Sequence, residues 1–349
     1  MRIIIEQLPE MKHVVVHGRR ALVDTIENIR SGFPPQTEFV EWESAGREID
    51  LFRDFRALAE LIAILRPYAA SEAVIHLHSS KAGFLGRAAC AILGIRRTLY
   101  TPHCASFIRG DIGPLKRRFF RGLERVGGAF GGKVVGCGKS EALLYSGLGR
   151  GASWVSNGVR ISSPASATAQ DTRPRLISFS GLISLQKDPE LFNDLALAFE
   201  DQEVPFCWIG DGPLRGALSA KNINVTGWTE APGVNAWLEK TQIYLSASAW
   251  EGLPFGVLEA MNRSCALLLR DVPGNRDLVV PGENGYLFRD RTEGTALLRA
   301  LLEDPEKTAA MGRRSREMAE QDYSAEKMGA GYRIVYHAVM EGKDLEPWV

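Results

Sequence analysis

The sequence is poor in the features that mark a secreted, disulfide-held or metal-bound protein. Its five cysteines, Cys90, Cys104, Cys137, Cys207 and Cys265, are scattered and odd in number. That pattern excludes a disulfide framework and a zinc finger, and fits buried thiols in a reducing cytoplasm. No apolar run approaches the length of a membrane span, and no signal-peptide pattern opens the sequence, so a cytoplasmic protein is expected. No Asp-x-Asp pair occurs, which leaves no site for a metal-held diphosphate, and neither a metal nor a cofactor is expected. Internal repeats and low-complexity tracts are absent as well, which excludes a solenoid.

Net charge is also missing, with 42 Lys+Arg against 42 Asp+Glu, but the balance hides an asymmetry. Residues 1–165 carry 23 basic and 15 acidic side chains, and the remainder 19 and 27. A basic first half suggests an anionic partner. Nucleic acid is not expected, because neither a recognition motif nor an interleaved aromatic platform is present. A hydrophobic content of 45% over 349 residues allows two soluble domains, each with its own core.

Strand-like and helix-like stretches alternate throughout, the pattern of an α/β protein with parallel sheets covered by helices. Strands are predicted at 12–17, 38–41, 73–78, 97–101, 133–136 and 153–156, with helices at 51–65 and 83–93 among the segments between them. A stretch rich in Ser, Ala, Thr and Pro reads as a linker over 161–174. Strands resume at 175–179, 206–209, 223–225, 243–246 and 266–269, and a last helical stretch covers 325–340.

The most informative segment is Glu251-Gly252-Leu253-Pro254-Phe255-Gly256-Val257-Leu258-Glu259. A buried strand precedes it, and a helix follows over 257–263 with Pro254 in its first turn, where a missing N–H is harmless. A helix N-terminus gathers free N–H groups and a positive dipole, which suits a phosphate. Gly252 and Gly256 would let a ligand approach the backbone, and Glu259, one turn inside, can accept two hydrogen bonds from a ribose diol. By spacing alone an ordinary strand-to-helix turn with solvated glutamates is an equal reading.

This string resembles the paired-glutamate signature of retaining glycosyltransferases, above all glycosyltransferase family 4 with its GT-B fold. Val155-Ser156-Asn157-Gly158-Val159, Ser180–Pro189, Ile209-Gly210-Asp211-Gly212-Pro213, Val225-Thr226-Gly227-Trp228, Gly274-Asn275-Arg276-Asp277 and Gly282–Leu287 match in order. The resemblance spans about 70–325. It implies two Rossmann-like domains with parallel sheets facing across a cleft. Residues 1–160 would form the acceptor-side domain and 175–324 the nucleotide-sugar domain, with 325–349 a C-terminal helix crossing back to the first. Glu259 would then hold the ribose, Glu251 the transferred sugar, and Gly181, Phe255, Gly256 and Val257 would line the nucleotide. Trp228 falls where the family wraps the base, mostly through backbone groups. Lys187 would neutralise the leaving diphosphate. Two departures stand out. Leu182 occupies the position of an expected arginine, with Lys81 and Arg215 as candidate substitutes, and residues 2–8 and 12–17 leave the family's first strand and glycine-rich loop without a match.

In the first half, Leu99-Tyr100-Thr101-Pro102-His103 sets a histidine just past a strand end, where open α/β sheets put ligands. A capping role is the plain reading, and the resemblance makes His103 the active-site histidine near the reacting carbon. His76 and His78 share one face of another strand and read as cleft lining or packing, or as a pair of metal ligands that no carboxylate or cysteine accompanies. Residues 116–125 form a basic stretch with two adjacent aromatics. It can lie on an anionic membrane surface, making the protein peripheral on the inner face, or serve as a domain helix burying Phe120, Leu123 and Phe130. The expected function is transfer of a sugar from a nucleotide diphosphate sugar, UDP favoured over GDP, to a saccharide or polyprenyl-linked acceptor in polysaccharide assembly. A catalytically silent sugar-nucleotide binder and a GT-B epimerase are the rivals.

Overall fold

A computed structural model describes residues 1–18, 26–46, 49–149, 151–162 and 173–345. The chain divides into two compact units. The first comprises Met1–Phe107, Pro114–Ser156 and Ala325–Val349, and the second Ile108–Gly113 and Asn157–Ser324. Most of the expected linker, residues 163–172, lies outside the described residues.

The first unit runs α1 (Arg2–Gln7), β1 (Val14–His17), α2 (Ile26–Ser31), β2 (Glu38–Glu41), α3 (Leu51–Leu65), β3 (Ile75–His78) and α4 (Ser80–Leu93). It continues with β4 (Thr98–Thr101), α5 (Pro114–Ala129), β5 (Lys133–Gly136), α6 (Lys139–Ser146) and β6 (Ala152–Trp154). All pairings are parallel, but they fall into two sheets, β1-β2 and β3-β4-β5-β6. The helix predicted at 51–65 forms over the same residues. Asp50 caps it by accepting the Arg53 N–H at 3.0 Å, and Ala57, Leu61 and Leu65 repeat every fourth position on its buried face.

The α12 helix (Ala325–Met340) belongs to this unit. Its Met328, Tyr332, Val335 and Val339 share a core with Ile4 and Leu8 at the N-terminus and with Leu99, Val135 and Val155. Two glycines permit the contact. A Cβ on Gly329 would lie 2.4 Å from the Gln7 Cβ, and one on Gly331 would lie 2.9 Å from a Val155 methyl. In α5 the buried positions are Glu124, Gly127 and Gly128. Glu124 pairs with the buried Arg87 at 2.8 Å and accepts the Tyr100 hydroxyl at 2.9 Å. Phe120 and Leu123 are only half-buried and Phe130 is exposed, so the expected aromatic core of this helix is replaced by an ion pair. Gly127 makes room for the pair, since a Cβ there would meet Arg87 at 2.5 Å.

The second unit contains β7 (Leu176–Ser180), α7 (Pro189–Leu197), β8 (Phe206–Ile209), β9 (Ile223–Val225), α8 (Ala231–Lys240) and β10 (Thr241–Ser246). After these come α9 (Phe255–Asn262), β11 (Ala266–Arg270), β12 (Gly285–Phe288), α10 (Arg291–Glu303) and α11 (Pro305–Asp322). Its six parallel strands run β12-β11-β10-β7-β8-β9. This is the doubly wound order, which reverses direction between β7 and β10, and loops leaving the carboxyl ends of such a pair open a crevice for ligands. The central strands are buried on both faces, as helices on either side require. Phe179, Phe192, Phe206 and Trp208 fill the space beside β8, with the Phe179 and Trp208 rings 4.6 Å apart.

Candidate active site

The loops after β7 and β10 meet at the switch point of the second unit. Gly181, at φ +154°, donates its N–H to the Ile209 carbonyl at 3.0 Å and accepts the Trp208 indole N–H at 2.9 Å. A Cβ at 181 would sit 3.2 Å from the Phe179 ring and 3.7 Å from the Lys187 side chain, so the glycine leaves the lysine its path. Lys187 pairs with the Glu251 carboxylate, which is 5% exposed. Gln186 ties the same loops together, accepting the Ala249 N–H at 2.9 Å and donating to the Trp250 carbonyl at 3.0 Å. The two residues expected from the sequence to face sugar and phosphate are thus brought into direct contact.

Two contacts brace the Glu251 loop. Asn157 donates to the Leu253 carbonyl at 2.8 Å, and a Cβ on Gly274 would lie 2.0 Å from the Gly252 oxygen, so only glycine fits there. Pro254 is the residue before α9 rather than part of its first turn. That leaves the N–H groups of Phe255, Gly256 and Val257 at the open end of the helix. Phe255 is 38% exposed, whereas the Val257 side chain is core, so Val257 offers only its backbone. Gly256 has an internal reason to lack a side chain. The space a Cβ would fill is held by the Tyr244 hydroxyl at 2.6 Å and the Ser180 hydroxyl at 2.8 Å.

Glu259 differs from Glu251. It is half-buried, and no described residue donates a hydrogen bond to its carboxylate. Desolvation raises its pKa above the ordinary value, against a smaller opposing pull from Arg263. Gly227, at φ +75°, turns the chain after β9, and the Trp228 side chain stands 65% exposed beside it. Leu182 is likewise exposed, at 45%. Both candidate substitutes for the missing arginine are engaged elsewhere, Lys81 with Asp54 at 2.5 Å and Arg215 with Asp211 at 2.8 Å.

In the first unit, His103 follows β4 and joins the two histidines of β3. His78 Nδ1 lies 2.8 Å from His103 Nε2, and His76 bonds the Thr101 hydroxyl at 2.9 Å and the Tyr336 hydroxyl at 2.8 Å. Burial lowers His76 to about 3 and His103 to about 4, and holds His78 well below its ordinary value, so all three are neutral at pH 7. Glu141, which sequence reasoning missed, accepts the Cys104 N–H at 2.6 Å and the Cys137 N–H at 2.8 Å. Its place three residues after the Gly138 cap is the spacing of a capping box, the one local signal that could have found it.

Solved structures share this architecture. Sucrose-phosphate synthase from Thermosynechococcus elongatus is 16% identical, with a TM-score of 0.78 over 97% of this chain and 92% of that one. Anabaena HepE in complex with UDP-glucose is also 16% identical, with a TM-score of 0.72 over 96% and 94%. In sequence, an Escherichia coli UDP-Gal:alpha-D-GlcNAc-diphosphoundecaprenol alpha-1,3-galactosyltransferase is 25% identical over 272 residues, 69% of this chain and 68% of that protein. The fold is the GT-B architecture of these glycosyltransferases. Residues 174–304, within the second unit, match the family described as Glycosyl transferases group 1.

Proposed function

We propose that this glycosyltransferase moves a sugar from a UDP-sugar to a saccharide carried on a lipid diphosphate, with retention of anomeric configuration and without a metal ion. One observation carries the donor reading: Glu259 presents a half-buried carboxylate that no described residue supplies with a hydrogen bond, at the switch point of a doubly wound sheet. Two ribose hydroxyls would satisfy it. The N–H groups at the start of α9 would take the phosphates, and the Lys187 ammonium would shift from Glu251 onto them. Charge grows on the leaving diphosphate as the bond to the anomeric carbon breaks, so a fixed cation and an aligned dipole lower the barrier. Glu251, released from Lys187, would bind sugar hydroxyls. His103 of the first unit would serve the sugar end as a neutral imidazole. No protein nucleophile is assigned, and the leaving phosphate would accept the acceptor's proton.

The acceptor reading draws on the E. coli relative, whose substrate is a diphosphoundecaprenol-linked sugar. It is supported by α5, whose one carboxylate is buried against Arg87. The exposed surface of that helix carries Lys116, Arg117, Arg118, Arg121 and Arg125 with exposed Leu115, Phe119 and Val126. Leu51, Phe52 and Phe55 at the start of α3 are exposed as well, at 82%, 92% and 76%. A cationic surface bearing apolar side chains suits anionic lipid. No described helix is long and apolar enough to cross a membrane. The test is transfer from UDP-galactose and UDP-glucose to a GlcNAc-diphosphate lipid, with the product anomer read by NMR and the reaction repeated in EDTA. An inverted product, or activity lost in EDTA and restored by manganese, would refute the mechanism proposed.

A further inference from the structure

His103 occupies backbone that L-residues seldom adopt. Its φ is +54°, and Cys104 follows at +92°. Two consecutive residues of this kind persist only where their surroundings over-determine them, and such strain collects at functional positions. Two groups provide that constraint, one on the backbone and one on the ring.

The backbone is held by Glu141, which is 1% exposed. One carboxylate oxygen accepts the Cys104 N–H and the other accepts the Cys137 N–H, so the turn after β4 is tied to the end of β5. Glu141 lies in the first turn of α6, but neither N–H that it accepts belongs to that helix, so capping does not account for a buried carboxylate here. The ring is held by His78, through the 2.8 Å bond between His78 Nδ1 and His103 Nε2, with the two ring planes 15° apart. His78 is in turn backed by His76, whose ring centroid is 4.0 Å away and whose two nitrogens are fixed by Thr101 and Tyr336. Packing alone would be met by apolar side chains in relaxed backbone.

We propose that His78 and Glu141 are positioning residues for His103, with His78 setting its ring orientation and tautomer and Glu141 holding its backbone turn. The inference rests on the reading of His103 as the group that serves the sugar. With Nε2 engaged by His78, the atom left for substrate is Nδ1. The proton shared in the His78–His103 bond then decides whether Nδ1 donates or accepts, since a neutral imidazole carries one N–H.

The test compares His78→Leu, His78→Asn, Glu141→Gln and His103→Ala in the full chain. Transfer kinetics, UDP affinity by calorimetry and the ¹⁵N shifts of the His103 imidazole are followed. His78→Leu is expected to lower kcat about 100-fold, the effect of a misplacement of about 1 Å. It should leave the UDP dissociation constant within about twofold and shift the His103 ¹⁵N signals. The Asn amide can replace Nδ1 in the bond, so His78→Asn should recover about tenfold of that loss. Glu141→Gln keeps one acceptor oxygen and should lower kcat with UDP affinity intact. If His103→Ala cripples transfer while His78→Leu and Glu141→Gln keep full kcat, the positioning roles are wrong and the function stands. If His103→Ala itself transfers normally, the reading of His103 is what fails.

Discussion

The Lys187 ammonium is bound to the Glu251 carboxylate, so the cation proposed for phosphate and the anion proposed for sugar neutralise each other in the free protein. Donor binding must exchange this pair for two new sets of contacts. Glu251→Gln removes the competitor for Lys187 while keeping the size of the side chain. UDP should then bind a few-fold tighter while sugar transfer falls at least tenfold. Weaker UDP binding in a folded Glu251→Gln protein, measured by calorimetry, would contradict this exchange.

Glu259→Ala should weaken UDP binding by about 1.5–3 kcal/mol, the range for a charged hydrogen-bonding group. Burial has already raised the pKa of this carboxylate, so its removal relieves the free protein of a desolvated group. Fold stability should therefore hold or rise as affinity drops. Calorimetric titration beside a urea melt checks both signs, and unchanged affinity would end the ribose assignment.

Leu182 stands where a second cation is expected, and neither Lys81 nor Arg215 is unengaged. Leu182→Arg should tighten UDP binding by about 1 kcal/mol at low ionic strength, with the gain fading as salt rises. A loss of affinity at low salt would mean that another basic group already occupies that position.

The three neutral histidines make stability depend on pH. In the unfolded chain they bind a proton near 6.5, whereas burial holds His103 to about 4 and His76 to about 3. Between about 6.5 and 4 the unfolded chain carries the extra protons, so stability falls on acidification. Each imidazole contributes about 1.4 kcal/mol per pH unit in that window. Glu141 and Glu259, both raised by burial, oppose this just above their ordinary range. Urea midpoints at pH 7, 6 and 5 should decline, and less steeply in His76→Gln. A flat profile would show that the imidazoles ionise within the fold.

The α5 surface gives a lipid prediction. The full chain should sediment with phosphatidylglycerol vesicles and not with phosphatidylcholine vesicles, and Arg117→Glu with Arg118→Glu should abolish the difference. Equal binding to both vesicle types would point to the exposed apolar residues alone.

Much of this architecture is legible in the sequence because the signals are local. Asp50 and the fourfold spacing of Ala57, Leu61 and Leu65 define α3 outright. The strand before Glu251 and the helix after it follow from one short string. The β12 strand escapes because its four residues begin at Gly285, where a Cβ would meet the Leu267 carbonyl oxygen at 2.0 Å, a constraint that strand propensity does not encode. The cation pairing at Lys187 joins residues 64 positions apart, and the Glu141 contact with Cys104 spans 37. No periodicity or cap encodes such pairs. Gly256 is a further case, since the Tyr244 and Ser180 hydroxyls that hold the space of its missing side chain come from strands distant in sequence.

The membership of α12 in the first unit bears on how the protein is made. Leu99, Val135 and Val155 emerge from the ribosome long before Met328, Tyr332, Val335 and Val339, the side chains that cover them. The segment up to Ser156 must therefore wait, with apolar surface uncovered, while nearly the whole second unit is synthesised and can condense. Order of synthesis and order of folding are inverted. A nascent chain stalled near residue 324 would hold a finished C-terminal lobe behind an N-terminal lobe still dependent on chaperones.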